Sequence, residues 1–511
     1  MSQVIEVKSK NRRIAIIIIV CFIIIISIVP IIQLLYELSF DKALQEFDLF
    51  KRTPTVANLR SYEDTLEDNS VVAKTIRPWY QWVSTFLINQ GNAEAVIGKD
   101  GWLFYRPSLD YIISPEENFY REFGPKAVII AFNETLKEQD VQLILLPMPG
   151  KASIYPEYLS DRYDESLGPP VNPHAPEFFQ MLRSKGIHVF DPADILWQGK
   201  VESQVYLTQD THWSPDGLKL VANHLAELIK TKNWFTSDKS YYLQSYQVKR
   251  YGDIYDMLNL PDVKGSYNPW EIIVEKVIDS DTGKPFEPDQ SSPIVLLGDS
   301  FVNIYSHKEM GWGENSGFGE HLADQLGASL DIIAINDGGP TTTRETLARR
   351  PDALVGKKLV IWQFATRDLT KMDSQWKIVD IPMPKIQPQP EKPVVEEDDS
   401  TVVKAEVLIV SNVPDPNQVA YSECLTYIKY RVILVEQGSY NGEELLAVFW
   451  GMKSSKLMPP ASFKVGQRHR LVIEPFDEHP ELSHIMQADD TEDYENIPMW
   501  VVEYSSIDEN E

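Results

Sequence analysis

Three residue types with the chemistry of acyl transfer occur in two short motifs of this chain. Ser300 stands in Gly298-Asp299-Ser300-Phe301, and Asp210 and His212 stand well upstream in Asp210-Thr211-His212-Trp213. A serine can act as the nucleophile, a histidine as the base that takes its proton, and a carboxylate as the group that orients the histidine. The two motifs therefore predict a serine acyl-transfer site with Ser300, His212 and Asp210 as catalytic residues.

The elements around these motifs are suited to position them. The apolar run Pro293–Leu297 predicts a buried parallel strand, so Ser300 falls at the carboxyl end of that strand, where open α/β sheets place their sites. A serine there can begin a helix whose free backbone N–H groups hold an oxyanion. Downstream of His212, Ser214 and Pro215 are typical of an N-cap and a first helical turn.

Either motif alone also recurs by chance in proteins without this chemistry. A Gly-Asp-Ser tripeptide can be a simple turn, and the chain has nine histidines. The joint position of both motifs at strand-to-helix junctions of one α/β domain favours the catalytic interpretation over the structural one.

Composition excludes some functions. The formal charge of −27 argues against nucleic-acid binding, because a phosphate backbone would be repelled. The two cysteines are Cys21 and Cys424, and Cys21 lies in an apolar segment, so we expect no intramolecular disulfide framework. We expect no cofactor and no metal for the acyl-transfer chemistry.

The N-terminal region predicts a membrane anchor. Residues 14–36 are almost wholly apolar, and Lys8, Lys10, Arg12 and Arg13 precede them. The length suits one bilayer-spanning helix, and the basic flank predicts that residues 1–13 stay in the cytoplasm and that the rest lies outside it. The alternative is a cleaved signal peptide, but its apolar region is usually shorter and ends in a small-residue cleavage site.

Patterning divides the remainder into four segments. Residues 37–95 predict a helical stalk or cap, residues 96–375 a catalytic domain, residues 376–400 a Pro-rich acidic linker, and residues 401–511 a β-rich accessory domain, a small sandwich or barrel. Strands that alternate with helices predict an α/β fold, a doubly wound parallel sheet flanked by helices. The predicted strands of this sheet are Gln142–Pro147, Ile187–Asp191, Ile294–Leu297, Leu330–Ile335 and Lys358–Gln363.

Several motifs together resemble those of a known family. The Asp210-Thr211-His212-Trp213 motif upstream of Gly298-Asp299-Ser300-Phe301, with Gly101-Trp102-Leu103-Phe104 and Pro147-Met148-Pro149-Gly150-Lys151, is similar to the AlgX/AlgJ-type SGNH-hydrolase-like alginate O-acetyltransferases. Most SGNH hydrolases place the serine first and the histidine motif last, whereas this chain has the order of the alginate group. The resemblance covers roughly residues 95–372 and leaves the C-terminal β domain aside.

The resemblance implies an SGNH-like fold and acetyl transfer onto an extracytoplasmic polysaccharide such as alginate. Ser300 would take the acetyl group as an ester, His212 would act as base and then as acid, and Asp210 would orient His212. Because acetyl-CoA is cytoplasmic, the enzyme would need a membrane-bound O-acyltransferase partner as its acetyl donor. The expected location is the bacterial inner membrane, with one membrane pass and a periplasmic or extracytoplasmic catalytic domain.

Four further residues are candidates for binding. Gly338, after the strand ending at Ile335, is a candidate second oxyanion donor, with a simple strand-end turn as the alternative. By resemblance, Tyr305 and Arg344 are candidates to hold acetyl or sugar, although an apparent insertion at His307–Gly319 disturbs the spacing. Lys151 either contacts substrate or is a surface lysine.

Two other functions remain open at this point. An acyl-serine is also the intermediate of a carbohydrate acetylesterase, and the outcome depends on whether a sugar hydroxyl or water reaches it. The chain could instead be a non-catalytic glycan-binding or scaffold subunit of an exopolysaccharide complex, but the complete set of Ser300, His212 and Asp210 argues against a degenerate site.

Overall fold

A computed structural model gives the structure of the chain. It describes residues 70–382 except 237, 262–266, 351 and 372–375, residues 401–507 except 417–418, 420 and 495, and parts of segment 19–60. The chain forms two compact units: Met1–Asn92 with Leu258–Ser266, and Ala93–Met257 with Tyr267–Glu511. The second unit contains both the α/β domain and the C-terminal β domain.

From residue 71 onward, the α-helices follow in chain order. They are α1 (Val71–Ile88), α2 (Arg106–Ile112), α3 (Glu117–Tyr120), α4 (Pro125–Glu138), α5 (Lys151–Ile154), α6 (Ala175–Ser184), α7 (Ala193–Gly199), α8 (Pro215–Lys230), α9 (Asp253–Met257), α10 (Ser300–Asn303), α11 (Phe318–Leu326) and α12 (Gly339–Ala348).

The strands fall into an α/β group and a C-terminal group. The first group is β1 (Ala95–Ile97), β2 (Leu103–Tyr105), β3 (Gln142–Met148), β4 (His188–Val189), β5 (Tyr241–Arg250), β6 (Trp270–Asp279), β7 (Ile294–Gly298), β8 (Asp331–Ala334) and β9 (Leu359–Ala365). The second group is β10 (Thr401–Val410), β11 (Cys424–Gln437), β12 (Glu444–Lys453), β13 (Lys456–Leu457), β14 (Arg468–Pro475), β15 (Met486–Ala488) and β16 (Pro498–Ser506).

A five-stranded sheet forms the centre of the α/β domain. Its order is β4-β3-β9-β7-β8, and all its pairings are parallel, with Leu296 of β7 opposite Ile361 of β9 and Ile332 of β8. Every residue of β7 and β9 is buried, as expected for strands covered on both faces. The parallel sheet with flanking helices is confirmed, and each predicted strand corresponds to an observed one.

Local signals also explain how α8 begins. The Ser214 side chain accepts a hydrogen bond from the Gly217 N–H, and Pro215 occupies the first turn, where its missing N–H costs nothing. Helix α8 buries a stripe that includes Leu218, Val221 and Leu225 against the core. The cap thus sets the point at which the His212 loop passes into a rigid element.

An antiparallel ribbon of β5 and β6 was not anticipated. Tyr241 lies opposite Asp279 and Arg250 opposite Trp270, so the two strands pair along their full length. On the β6 side, Ile272, Val274 and Val277 are buried in the core that also contains α8. The ribbon leads directly from Arg250 into the loop that begins α9, which contacts the candidate site.

The C-terminal domain is a barrel. Strand β11 pairs with β10 and β12, β12 with β16 in parallel, β16 with β14, and β14 with β10, so five strands close on themselves. This is the topology of the OB-fold, a five-stranded Greek-key barrel. Of the two architectures expected for the segment 401–511, the structure has the barrel.

The segments around the α/β domain differ in part from the expectation. Trp376, Val379 and Ile381, at the start of the predicted linker, are buried in the α/β core, because their apolar side chains face a hydrophobic cluster. The rest of that linker, 383–400, lies outside the described residues. Nine of the 23 residues of the predicted anchor and about half of the predicted stalk also lie outside them, whereas residues 27–39 and α1 are helical. Within the described residues, no helix has the length and apolarity needed to cross a membrane.

Candidate active site

Ser300 begins the short helix α10 immediately after β7. The Asp299 side chain caps this helix by accepting a hydrogen bond from the Phe301 N–H at 2.8 Å, and the Asp299 N–H donates to Gln363 Oε1 at 2.9 Å. Gln363 belongs to the neighbouring strand β9, so the turn that presents Ser300 is tied to two strands. A Cβ on Gly298 would lie 2.3 Å from the Val302 side chain, which explains why the motif begins with glycine.

The structure brings the three predicted catalytic side chains together. His212 Nε2 lies 2.7 Å from Ser300 Oγ, and His212 Nδ1 lies 2.6 Å from Asp210 Oδ1. Both Asp210 and His212 are buried, while Ser300 is half-buried and open to a substrate. One imidazole nitrogen therefore faces the hydroxyl and the other faces the carboxylate, the arrangement that a general base for serine requires.

The second oxygen of Asp210 is also occupied. Asp210 Oδ2 accepts a hydrogen bond from Trp312 Nε1 at 2.8 Å and one from the Asp253 N–H at 3.0 Å. In addition, Oδ1 accepts from the His212 N–H at 3.1 Å. These donors fix the orientation of the carboxylate and stabilise its ionised form.

The pKa values of Asp210 and His212 are shifted in the directions that proton transfer from a serine requires. Burial alone would raise the pKa of Asp210, but the His212 charge and the hydrogen bonds from His212, Asp253 and Trp312 outweigh it and lower that pKa. Burial alone would lower the pKa of His212, but Asp210 above all raises it above the ordinary value of 6.5. Asp210 therefore stays ionised and stabilises the imidazolium that forms when His212 takes a proton.

Asp253 contacts the same loop at Thr211 and His212. Its carboxylate accepts hydrogen bonds from the Thr211 N–H and hydroxyl, and Asp253 Oδ2 lies 3.6 Å from His212 Nδ1. Burial and the nearby Asp210 raise the pKa of Asp253 to about 6. A Cβ on Gly252 would lie 2.2 Å from the Gln209 carbonyl oxygen, so only glycine lets α9 approach this loop so closely.

Lys151 holds the backbone of the loop that contains Asp210. It is 3% exposed, and its Nζ donates to the carbonyl oxygens of Leu207, Thr208 and Asp210 at 2.8, 2.9 and 2.6 Å. Burial lowers the pKa of Lys151 to about 7, against the opposing effect of Asp210 and Asp253. Lys151 is thus neither a substrate contact nor a surface lysine, because all three hydrogens of its ammonium group are directed at backbone carbonyls.

The oxyanion donors differ in part from the expectation. Among the residues that the structure describes, the Ser300 N–H has no hydrogen-bond partner and remains available to an oxyanion. The Gly338 N–H donates to the Ile335 carbonyl at 3.1 Å and closes a turn at the end of β8. The strand-end turn, the alternative for Gly338, is therefore what the structure has, because its N–H is already engaged.

Tyr305 and Arg344 have positions other than those expected of substrate contacts. Tyr305 is fully buried, and its hydroxyl donates to the Trp213 carbonyl at 2.7 Å, which ties α10 to the His212 loop. Arg344 is 0% exposed and donates from Nε to Pro340 O and from a terminal nitrogen to Lys377 O, at 2.9 and 2.8 Å. A buried side chain whose hydrogen-bond donors already bond to backbone carbonyls cannot bind a sugar. Both residues therefore stabilise the fold.

Two residues at the site had no local signal in the sequence. Asp253 and Trp312 contact Asp210 from 43 and 102 positions away along the chain. The pair Gly252-Asp253 resembles an ordinary turn, and Trp312 lies in the apparent insertion His307–Gly319. The only sequence signal for Trp312 is its position between two glycines in a polar loop. A large apolar side chain in such a loop needs a surface to pack against.

The acidic and imidazole groups of the site raise the question of a metal. Asp210, His212 and Asp253 offer ligand atoms within 4.8 Å of one another. Their atoms are already engaged with each other, with Ser300, with Thr211 and with Trp312. A carboxylate-histidine-serine set with these bonds is suited to proton transfer, and a metal ion there would displace the contact between His212 and Asp210.

Comparisons with known proteins agree with this geometry. Residues 95–366 match the family model of the SGNH hydrolase-like domain of acetyltransferase AlgX. The chain is 27% identical over 309 residues to an Azotobacter vinelandii protein named probable alginate O-acetylase AlgJ, covering 57% of this chain and 75% of that protein. The Pseudomonas putida protein of the same name is 26% identical over 310 residues, with the same coverage.

A solved structure is also similar. The O-acetyltransferase domain of Pseudomonas putida AlgJ is 24% identical, with a TM-score of 0.44, and the match covers 55% of this chain and 96% of that one. The family model spans more than half of the 511 residues and contains both catalytic motifs. The chain therefore belongs to the family of SGNH hydrolase-like domains represented by the acetyltransferase AlgX.

Proposed function

We propose that the chain is an O-acetyltransferase that moves acetyl groups through an ester on Ser300 to hydroxyls of an extracytoplasmic polysaccharide. The observation that supports it most is the contact of His212 Nε2 with Ser300 Oγ at 2.7 Å, with Asp210 Oδ1 at 2.6 Å from the other ring nitrogen. The relatives named alginate O-acetylase supply the substrate class, a polysaccharide of the alginate type.

The first half-reaction loads the serine. Ser300 Oγ attacks the acetyl carbonyl while His212 Nε2 takes the hydroxyl proton, and Asp210 stabilises the imidazolium. The carbonyl oxygen becomes an oxyanion beside the Ser300 N–H. His212 then gives its proton to the leaving group of the donor, the bond to that group breaks, and an acetyl ester remains on Ser300.

The second half-reaction reverses the roles. A sugar hydroxyl replaces the leaving group, His212 accepts its proton, and the sugar oxygen attacks the ester carbonyl. When the intermediate collapses, the Ser300 oxygen leaves and recovers its proton from His212. The acetyl group is then an ester of the sugar, and the enzyme is restored.

Location and partner belong to the same proposal. The apolar segment 14–36 and its basic flank support a single-pass anchor in the bacterial inner membrane, with the catalytic domain on the periplasmic side. Since acetyl-CoA is made in the cytoplasm, we propose that a membrane-bound O-acyltransferase passes the acetyl group across the membrane to Ser300. A reporter fused after residue 40 should then be active only outside the cytoplasm.

The test of the chemistry is trapping of the acyl-enzyme. The full-length chain, mixed with a model acetyl ester and no sugar, should gain one acetyl group on Ser300, located by peptide mass spectrometry. Ser300→Ala, His212→Ala and Asp210→Ala should each lose most transfer to an oligosaccharide, and a double variant should be little worse than the worst single one, because the residues act as a unit. Ser291→Ala, an exposed serine just before β7, is the matched control.

Each alternative function predicts a different result. Acetate release at the same rate with and without sugar would make the chain an acetylesterase. Absence of any label on Ser300 under conditions where the chain is folded would favour a glycan-binding or scaffold subunit. A label that settles on another serine would remove Ser300 as the nucleophile.

A further inference from the structure

A second group of ligand-type side chains lies outside the catalytic set. His307 and Glu309 belong to the loop that follows α10, and His484 belongs to the connection between β14 and β15 of the barrel. Their ligand atoms all lie within 4.8 Å of one another. Two imidazoles and one carboxylate thus converge from two domains on one point of the same compact unit.

His484 has an unmet hydrogen-bonding group. The residue is 4% exposed, and its Nδ1 is buried without a hydrogen-bond partner among the described residues. Its backbone carbonyl, in contrast, accepts a hydrogen bond from the Asn336 N–H at 3.0 Å. A buried imidazole nitrogen without a partner costs free energy, which a bound ligand would recover.

The two rings are already in contact. Their centroids are 4.1 Å apart and their planes differ by 11°, so the imidazoles stack face to face. Neutral imidazole is the form that binds metals. Because a metal ion lies in the plane of each imidazole that binds it, ligation by both rings requires them to rotate out of this parallel arrangement.

We propose that His307, Glu309 and His484 bind one divalent transition-metal ion of the zinc type. Imidazole nitrogen and carboxylate oxygen are ligands that Zn²⁺ accepts in tetrahedral sites, whereas Ca²⁺ and Mg²⁺ require sites built from oxygen. Glu309 is exposed, so water can reach the site and supply the fourth ligand. The site is separate from Ser300, His212 and Asp210, and its occupancy does not depend on the acyl-transfer proposal.

The location gives the ion a structural role. The loop with His307 and Glu309 runs from the nucleophile helix to Trp312, which donates to Asp210. His484 is joined through its carbonyl to Asn336, just beyond β8. A bound ion would therefore fasten the Trp312 loop to the barrel at the edge of the sheet where the catalytic residues lie.

The test is direct metal binding by the purified full-length chain. After removal of metals with a chelator, titration with Zn²⁺ against a chromophoric chelator should show one tight site per chain. Ca²⁺ and Mg²⁺ in large excess should not compete, and Co²⁺ should give visible absorption bands typical of a tetrahedral site. Thermal unfolding should shift upward with Zn²⁺, because a ligand that binds only the native state stabilises it.

Two variants and a matched control decide the assignment. His484→Gln should abolish the tight site. Glu309→Gln should weaken binding about 10-fold or more, and it cannot act through misfolding because Glu309 is exposed. The control is His479→Gln in the same β14–β15 connection, whose two ring nitrogens already contact Glu474 and Glu481 at 3.1 and 3.2 Å.

Specific outcomes would overturn the proposal. One is a wild-type chain that binds no Zn²⁺ with an affinity above that of its surface carboxylates. The other is tight binding that survives in both His484→Gln and Glu309→Gln. Either result would leave the stacked rings as a packing contact between the loop and the barrel.

Discussion

Asp253 is one of the groups that raise the pKa of His212. Its carboxylate lies 3.6 Å from His212 Nδ1, and together with Asp210 it raises the pKa of His212 above 6.5, against the opposing effect of burial. His212 must be neutral to take the proton of Ser300, so activity falls as the pH drops through this raised pKa. The acid limb of the pH–rate profile should therefore lie above the ordinary range of a histidine.

Substitution of Asp253 tests this account. Asp253→Asn removes a negative charge near His212, so the pKa of His212 should fall and the acid limb of kcat/KM should move to lower pH. The measurement is the pH profile of hydrolysis or transfer with a model acetyl ester. Asp256→Asn, three residues along α9 and paired with Arg250, is the control and should leave the limb in place. An unchanged limb in Asp253→Asn would show that its carboxylate does not act on His212.

Among individual residues, the sequence predicted those that stand in recognisable motifs. It missed those that reach the site through contacts between distant parts of the chain. The sequence predicted Ser300, His212 and Asp210 because each stands in a recognisable tetrapeptide. For Lys151 and Arg344 the sequence suggests substrate contacts, with a surface position as the alternative for Lys151. Their burial depends on backbone carbonyls of Leu207–Asp210 and of Lys377, which no local pattern reveals.

Among the elements, the loop between α10 and α11 is bonded both to the site and to the ribbon. Trp312 is fully buried, and its indole N–H is directed at Asp210 Oδ2. The loop also bonds to the ribbon, because the Tyr246 hydroxyl accepts from the Glu314 N–H at 2.7 Å. The apparent insertion is thus a structural part of the site and holds the Asp210 carboxylate in place.

Trp312→Phe isolates the contribution of this loop. Phenylalanine keeps most of the packing but removes the N–H, so Asp210 loses one of its donors. A hydrogen bond to a charged group contributes about 1.5–3 kcal/mol, so kcat should fall roughly 10- to 100-fold with little change in KM. Trp234→Phe, at the partly buried edge of the core, is the matched control. Wild-type kcat in Trp312→Phe would mean that this bond contributes nothing to catalysis.

The strands of the sheet were predictable because their apolar runs are continuous, which is typical of strands buried on both faces. Strand β7 was predicted to within one residue. Strand β4 is shorter than its predicted run, since only His188 and Val189 pair with β3. The ribbon was missed because β5 is mostly exposed and its alternation is weak.

For the whole molecule, the central question is how the barrel attaches to the α/β domain. Arg349, at the end of α12, pairs with Asp489 of the barrel, and both side chains are buried. The Arg349 guanidinium also lies 5.0 Å from the centre of the Tyr427 ring of β11, and the Tyr494 hydroxyl donates to Glu345 at 3.1 Å. These contacts hold the two domains together independently of the chain segment that connects them.

The outer face of the barrel is covered by its own chain. Leu425 and Tyr427 of β11 and Leu446 and Val448 of β12 pack against Leu482 and Ile485, in the connection after β14. In the OB-fold the same pair of strands commonly forms the oligosaccharide-binding face. That face is therefore filled here by the connection after β14.

Proteolysis at the predicted linker tests the attachment. A Pro-rich acidic segment is a preferred site of cleavage, so limited protease should cut between about residues 383 and 400. The two fragments should nevertheless elute together in size-exclusion chromatography, because the buried pair of Arg349 and Asp489 joins them. Arg349→Met leaves Asp489 buried without its partner, at a cost of roughly 3–5 kcal/mol, so the cleaved fragments should then separate.

Arg431→Met removes an exposed barrel arginine that pairs with Glu406 and should leave the fragments associated. Fragments of the wild-type chain that separate as soon as the linker is cut would mean that the linker, and not this interface, keeps the barrel beside the active site.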